Sequence, residues 1–125
     1  MNNELIEKVI NGIEKIKISL EPLWGVAYLI SGEALISINQ PISEMTVSLI
    51  HEVLHTLPEY FLANFDSEKN QESKIENDAL SFYFDYPKIK NLAEERIIRS
   101  DWPEGYQMFL PFEPIDKRQI INFIK

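Results

Sequence analysis

The chain has 125 residues, 45% of them hydrophobic, with no cysteine and a net charge of −8. That length supports one domain around one core, and the acidic balance excludes the basic patches that hold nucleic acid or anionic lipid. No apolar run approaches the roughly 18 residues of a membrane span, so a soluble cytoplasmic domain with neither nucleic-acid nor membrane partner is expected.

The acid-bearing N-terminus matches neither a secretory signal nor a transit peptide, and the lack of cysteine removes disulfides and thiol-ligated zinc. Residues 3–18 carry Leu5, Ile6, Val9, Ile10, Ile13 and Ile16 at helical spacing, which predicts an amphipathic helix, with Glu21-Pro22 ending it. The short β-rich runs 23–31 and 33–39 flank Ser31-Gly32 and predict a hairpin or two neighbouring strands. After the turn at residues 40–43, Ser43 is the expected N-cap of a helix from about Glu44 to Leu57, limited by Pro58.

The polar residues 64–73 predict a surface loop. Helices follow at about 71–86 and 88–99, separated by Pro87. The Pro-rich segment 101–114 reads as irregular or as one short strand, and 115–125 as a closing helix. Helix, two or three strands, then helices make an α+β fold, a single domain over residues 1–125.

Both histidines of the chain fall in the stretch His51-Glu52-Val53-Leu54-His55. On a helix at 100° per residue, His51, Glu52, His55, Glu44 and Ser48 share one narrow polar stripe, and the opposite arc is apolar. Histidines at i and i+4 point from successive turns toward one spot, where two imidazole nitrogens can bind one Zn²⁺ ion. Glu52 projects aside, placed to serve as general base to a water that the metal activates.

A third protein ligand is required, and without another histidine or any cysteine it must be a carboxylate. On the helical wheel of residues 72–87, Glu76 lies on the inward face, with Glu72 one turn earlier as the alternative. Asp78 and Asp85 fall on the solvent side. The expected metal set is therefore His51, His55 and Glu76, with one zinc per chain.

The motif at 51–55, followed after 20 intervening residues by Glu76-Asn77-Asp78-Ala79, resembles the gluzincin metallopeptidases, in which HExxH gives two ligands and a glutamate of a later helix gives the third. The stretch from the strand at 33–39 through the motif helix is similar to the ImmA/IrrE metallopeptidases, and the size to the archaeal minigluzincins. The resemblance implies a zincin-like domain, a small mixed sheet packed on an active-site helix and a second helix carrying the glutamate. It also implies a peptide or protein substrate, bound along an edge strand for which 33–39 is the candidate.

Two departures stand out. Four residues beyond Glu76, where relatives carry Asp or Asn to orient a ligating histidine, this chain has Leu80, and the glycine common within the ImmA/IrrE motif is Leu54.

A peptidase needs a donor for the developing oxyanion; Tyr83, two turns beyond Glu76, is the first candidate, ahead of Tyr60, Tyr86, Arg96 and Arg99. Trp24, Phe61, Phe65, Phe84 and the methionines are expected in the core. The expected function is zinc-dependent peptide hydrolysis with Glu52 as base. The alternatives are a latent or inactive zincin, its cleft covered by residues 102–114, and a plain acidic binding module without metal.

Overall fold

The computed structural model describes residues 3–22, 28–30, 33–63 and 67–103. Trp24, Phe65, Met1, Met108, most of segment 101–114 and the closing helix expected at 115–125 lie outside them. The elements are α1 (Asn3–Lys15), β1 (Lys17–Glu21), β2 (Tyr28–Ile30), β3 (Glu33–Ser37), α2 (Ile42–His55), α3 (Pro58–Phe61), α4 (Glu68–Asp85) and α5 (Pro87–Ile98). The α+β expectation holds, and no described helix is long and apolar enough to cross a membrane.

The first helix is shorter than its apolar spacing predicts. It stops at Lys15, and residues 17–21 form a strand parallel to β3, in register from Lys17–Glu33 to Glu21–Ser37. Ile13, Ile16 and Leu20 fit a helical period, but Ile16, Ile18 and Leu20 also alternate with Lys17, Ser19 and Glu21. Both periods fit this stretch, and pairing with β3 decides between them. The helix end is sealed from a distance: Arg96 donates to the carbonyls of Ile13, Glu14 and Ile16 at 2.7–2.8 Å. Helix C-terminal carbonyls lack intrahelical partners, so one guanidinium meets the needs of three.

The sheet order is β1-β3-β2, with β2 antiparallel to β3. The hairpin expectation for β2 and β3 is met, but β3 is the central strand. Paired on both sides, it offers no free edge, which corrects its assignment as a peptide-binding edge.

The core centres on α2, which packs against β3 and against α1, α4 and α5. Met45, Leu49, Ile50, Val53 and Leu54 are all buried. The helix begins at Ile42 with Pro41 at the N-cap, two residues earlier than a Ser43 cap would give. Thr46 is buried and satisfied by donating to the Ile42 carbonyl at 2.7 Å.

The expected loop at 64–73 is cut short, because Ser67 caps α4 by accepting from the Asn70 amide at 3.2 Å. On α4 the buried line is Ile75, Ala79 and Phe82. Asp78 is not solvated as expected: it is half-buried, accepts from the Tyr60 hydroxyl at 2.7 Å and pairs with Lys74. Phe61 and Phe84 correct the core expectation in the other direction, being 52% and 72% exposed. Pro87 opens α5 at its first turn, where its missing N–H has no partner to lose.

Candidate metal centre

The polar stripe of α2 faces α4. His51 and His55, one turn apart, bring their Nε2 atoms to 3.1 Å from each other. From α4, Glu72 reaches into the same spot, with Oε2 3.1 Å from His51 Nε2 and Oε1 2.8 Å from His55 Nε2. Glu76, one turn further along α4, lies 2.6 Å from Nδ1 of His51, on the other side of that ring.

These pairings fix what the rings can present. A carboxylate only accepts, so the 2.6 Å contact with Glu76 places a proton on Nδ1 of His51. Between the two Nε2 atoms and the Glu72 oxygens, either a proton or a metal ion meets the needs of the acceptors. The spacing suits a metal ion. Two metal–ligand bonds of about 2.0–2.1 Å at a tetrahedral angle set their donors about 3.3 Å apart, close to the 3.1 Å between the two nitrogens.

Glu52 stands beside this cluster. One ligand atom from each of His51, Glu52 and His55 lies within 4.8 Å of the others, a group that could hold a metal ion. Glu52 is only 2% exposed, and its Oε2 is buried with no hydrogen-bond partner among the described residues. Of the two nearby carboxylates, Glu72 makes the direct contacts to both nitrogens. Glu52 is the orphaned buried acid next to them.

Burial pushes the Glu52 carboxyl up from 4.5 to about 7; the neighbouring His51 opposes this and Glu72 adds to it. Burial also lowers His55 from its usual range, with His51 helping and Glu72 opposing. A lowered His55 favours the neutral imidazole that a metal requires.

The expected ligand set is thus brought together, with one exchange of places. Glu76, expected on the metal, holds the far nitrogen of His51, and Glu72, the alternative, meets both Nε2 atoms. Tyr83, seven residues beyond Glu76, lies about 10 Å further along the α4 axis at 1.5 Å per residue.

Tyr83 lines a cleft of about 400 Å³ between the first half of α2 and the second half of α4, together with Val47, Leu80, Phe84 and the polar Gln40, Ser43, Glu44, Ser48 and Glu76. Of the other expected donors, Tyr60 is committed to Asp78, Arg96 to the end of α1 and Arg99 to Glu95. The sequence signal for the cleft was the four-residue ladder Glu72, Glu76, Leu80, Phe84 on one flank of α4, acidic at one end and apolar at the other.

No family model, curated protein or solved structure matches the chain. The reading rests on the site.

Proposed function

We propose that this chain is a zinc-dependent metallopeptidase with His51, His55 and Glu72 as ligands and Glu52 as general base. The observation that carries the reading is the meeting of both Nε2 atoms with the Glu72 carboxylate, beside a buried Glu52 whose Oε2 has no hydrogen-bond partner among the described residues. Two imidazoles and one carboxylate are the donor set of hydrolytic zinc, which keeps its fourth position open. Zinc there would supply a Lewis acid and make a water nucleophilic near neutral pH.

The side chains then divide the work. Glu76 fixes the His51 tautomer and ring plane through Nδ1, so that Nε2 alone is available. Glu52, buried beside the two histidines, is placed to take the attacking water's proton. As the carbon–nitrogen bond breaks, it gives that proton to the leaving amine.

The resemblance to gluzincins supports this division. In those relatives an Asp or Asn four residues beyond the ligating glutamate orients a histidine. Counted from Glu72, that place holds the longer acid Glu76, whereas the alanine of the ExxA pattern becomes Ile75, so the match at 76–79 no longer marks the ligand.

Zinc titration and peptide hydrolysis test the reading together. The expected result is one zinc per chain, lost in His51→Ala, His55→Ala and Glu72→Ala, and a Glu52→Gln variant that keeps zinc but cleaves nothing. A protein that takes up no zinc, or a Glu52→Gln variant that still cleaves, would overturn it.

A further inference from the structure

The one-turn helix α3 follows α2 almost without a break. The Thr56 and Leu57 amides still donate to the carbonyls of Val53 and Leu54, and the Tyr60 amide donates to the Leu57 carbonyl. Tyr60, five residues after His55 and only 3% exposed, is therefore tied to the end of the histidine stripe.

Both ends of Tyr60 hold α4. Its carbonyl accepts from Nε2 of Gln71 at 3.2 Å, and its hydroxyl donates to Oδ2 of Asp78 at 2.7 Å. Burial, and then the Asp78 contact, push the phenol well above its ordinary range, so it stays a donor. Gln71 and Asp78 are seven residues apart, two turns along one line of α4, and Glu72 and Glu76 lie between them.

Exchanging the two glutamates at the histidines requires α4 to slide by four residues, about 6 Å. The slide that brings Glu76 to the place of Glu72 also brings Ile75 to the place of Gln71 and Phe82 to that of Asp78. Ile75 has no side-chain donor for the Tyr60 carbonyl, and Phe82 no acceptor for its hydroxyl. The opposite slide puts Lys74 in the place of Asp78, and an ammonium only donates. A buried hydroxyl left unpaired is costly. Of these three registers, the observed one alone satisfies both ends of Tyr60.

We infer that Tyr60 is a positioning residue for the metal centre: through Gln71 and Asp78 it sets the axial register of α4 on α2, and so makes Glu72 the third ligand. The inference rests on the metal-binding reading of that centre. Tyr60→Phe keeps the buried ring and removes only the hydroxyl, which makes it the decisive variant.

Two readouts keep the levels apart. In zinc-free protein, nuclear Overhauser contacts between the His55 ring and the Glu72 side chain report the register. They should be present in the wild type and weaken in Tyr60→Phe and Asp78→Ala. Competition with a chromophoric chelator should show zinc bound about tenfold more weakly by each variant, because a smaller fraction of molecules holds the ligands together. The double variant should be no weaker than either single one. Asp78→Asn keeps an acceptor oxygen and should restore both readouts. Arg96→Ala, which removes hydrogen bonds at the end of α1, should move neither.

Unchanged His55–Glu72 contacts or unchanged zinc affinity in Tyr60→Phe, or equal losses in Arg96→Ala, would overturn the positioning role and leave the centre standing. A wild type that takes up no zinc while Tyr60→Phe still weakens the contacts removes the centre and leaves the register to Tyr60.

Discussion

Nδ1 of His51 meets Glu76 at 2.6 Å, while Nε2 of the same ring faces His55 and Glu72 at 3.1 Å. One imidazole thus has a holding side and a working side, and two glutamates one turn apart on α4 take different roles. The difference is measurable. On the proposed reading Glu72→Ala removes a ligand, and it should abolish stoichiometric zinc binding. Glu76→Gln should leave one zinc per chain but weaken it by about 10–100-fold, the usual cost of losing an orienting partner. Competition with a chromophoric chelator reads both.

The metal-free protein should carry a pH signature of Glu52. Its carboxyl titrates near 7 in the folded state instead of 4.5, so between these values the folded protein holds a proton that the unfolded chain has released. Stability from this group is therefore fully present below about 4.5 and falls as pH rises to about 7. The loss is about 3 kcal/mol. His55, lowered by burial, works in the opposite sense: below its ordinary 6.5 the unfolded chain takes up a proton that the folded state resists. Urea unfolding with chelator present isolates the Glu52 part as the wild-type minus Glu52→Gln difference, which should fall by about 3 kcal/mol from about pH 4.5 to 7. A flat difference would contradict the burial of this carboxyl.

Gly12 marks a close approach of α1 to α2. A Cβ there would lie 2.5 Å from Cγ1 of Val53, the residue following Glu52. Gly12→Ala would gain about 1 kcal/mol in helix propensity but drives a methyl into a packed core, at a typical cost of about 1–3 kcal/mol. The net expectation is a lower melting temperature, with Gly12→Ala/Val53→Ala less destabilised than the two single changes sum to. Strict additivity would show that the two positions are not in contact.

Arg96 joins α5 to the end of α1 through three carbonyls. Arg96→Ala should destabilise by about 2–3 kcal/mol, since hydrogen bonds to charged groups exceed neutral ones and the carbonyls lose their partner. Arg96→Lys should recover only part, because an ammonium cannot reproduce the planar fork. Chemical denaturation of the three proteins checks the ranking.

Local physics carried much of this into the sequence. The stripe of His51, Glu52 and His55 follows from helical rotation alone, as does the need for a carboxylate in a chain with neither cysteine nor a third histidine. Helix period also placed Glu72 and Glu76 on the flank of α4 that faces α2. What it left open was axial position. Which of two acids one turn apart stands level with the histidines depends on how far α4 slides along α2, a tertiary quantity. The same kind of limit hid β1, whose apolar residues satisfy two periods until β3 lies beside them. It also hid Arg96, whose partners lie some 80 residues away in the chain. Asp78 looked solvated because Tyr60, 18 residues earlier, is not its neighbour on any helical wheel.

The most direct test of the metal centre is an anomalous difference map at the zinc edge, from crystals grown with zinc. The account predicts one strong peak per chain, about 2.0–2.2 Å from Nε2 of His51, Nε2 of His55 and a carboxylate oxygen of Glu72, with Glu76 still on Nδ1 of His51. No peak among these atoms, or a peak ligated by Glu76 in place of Glu72, would contradict it.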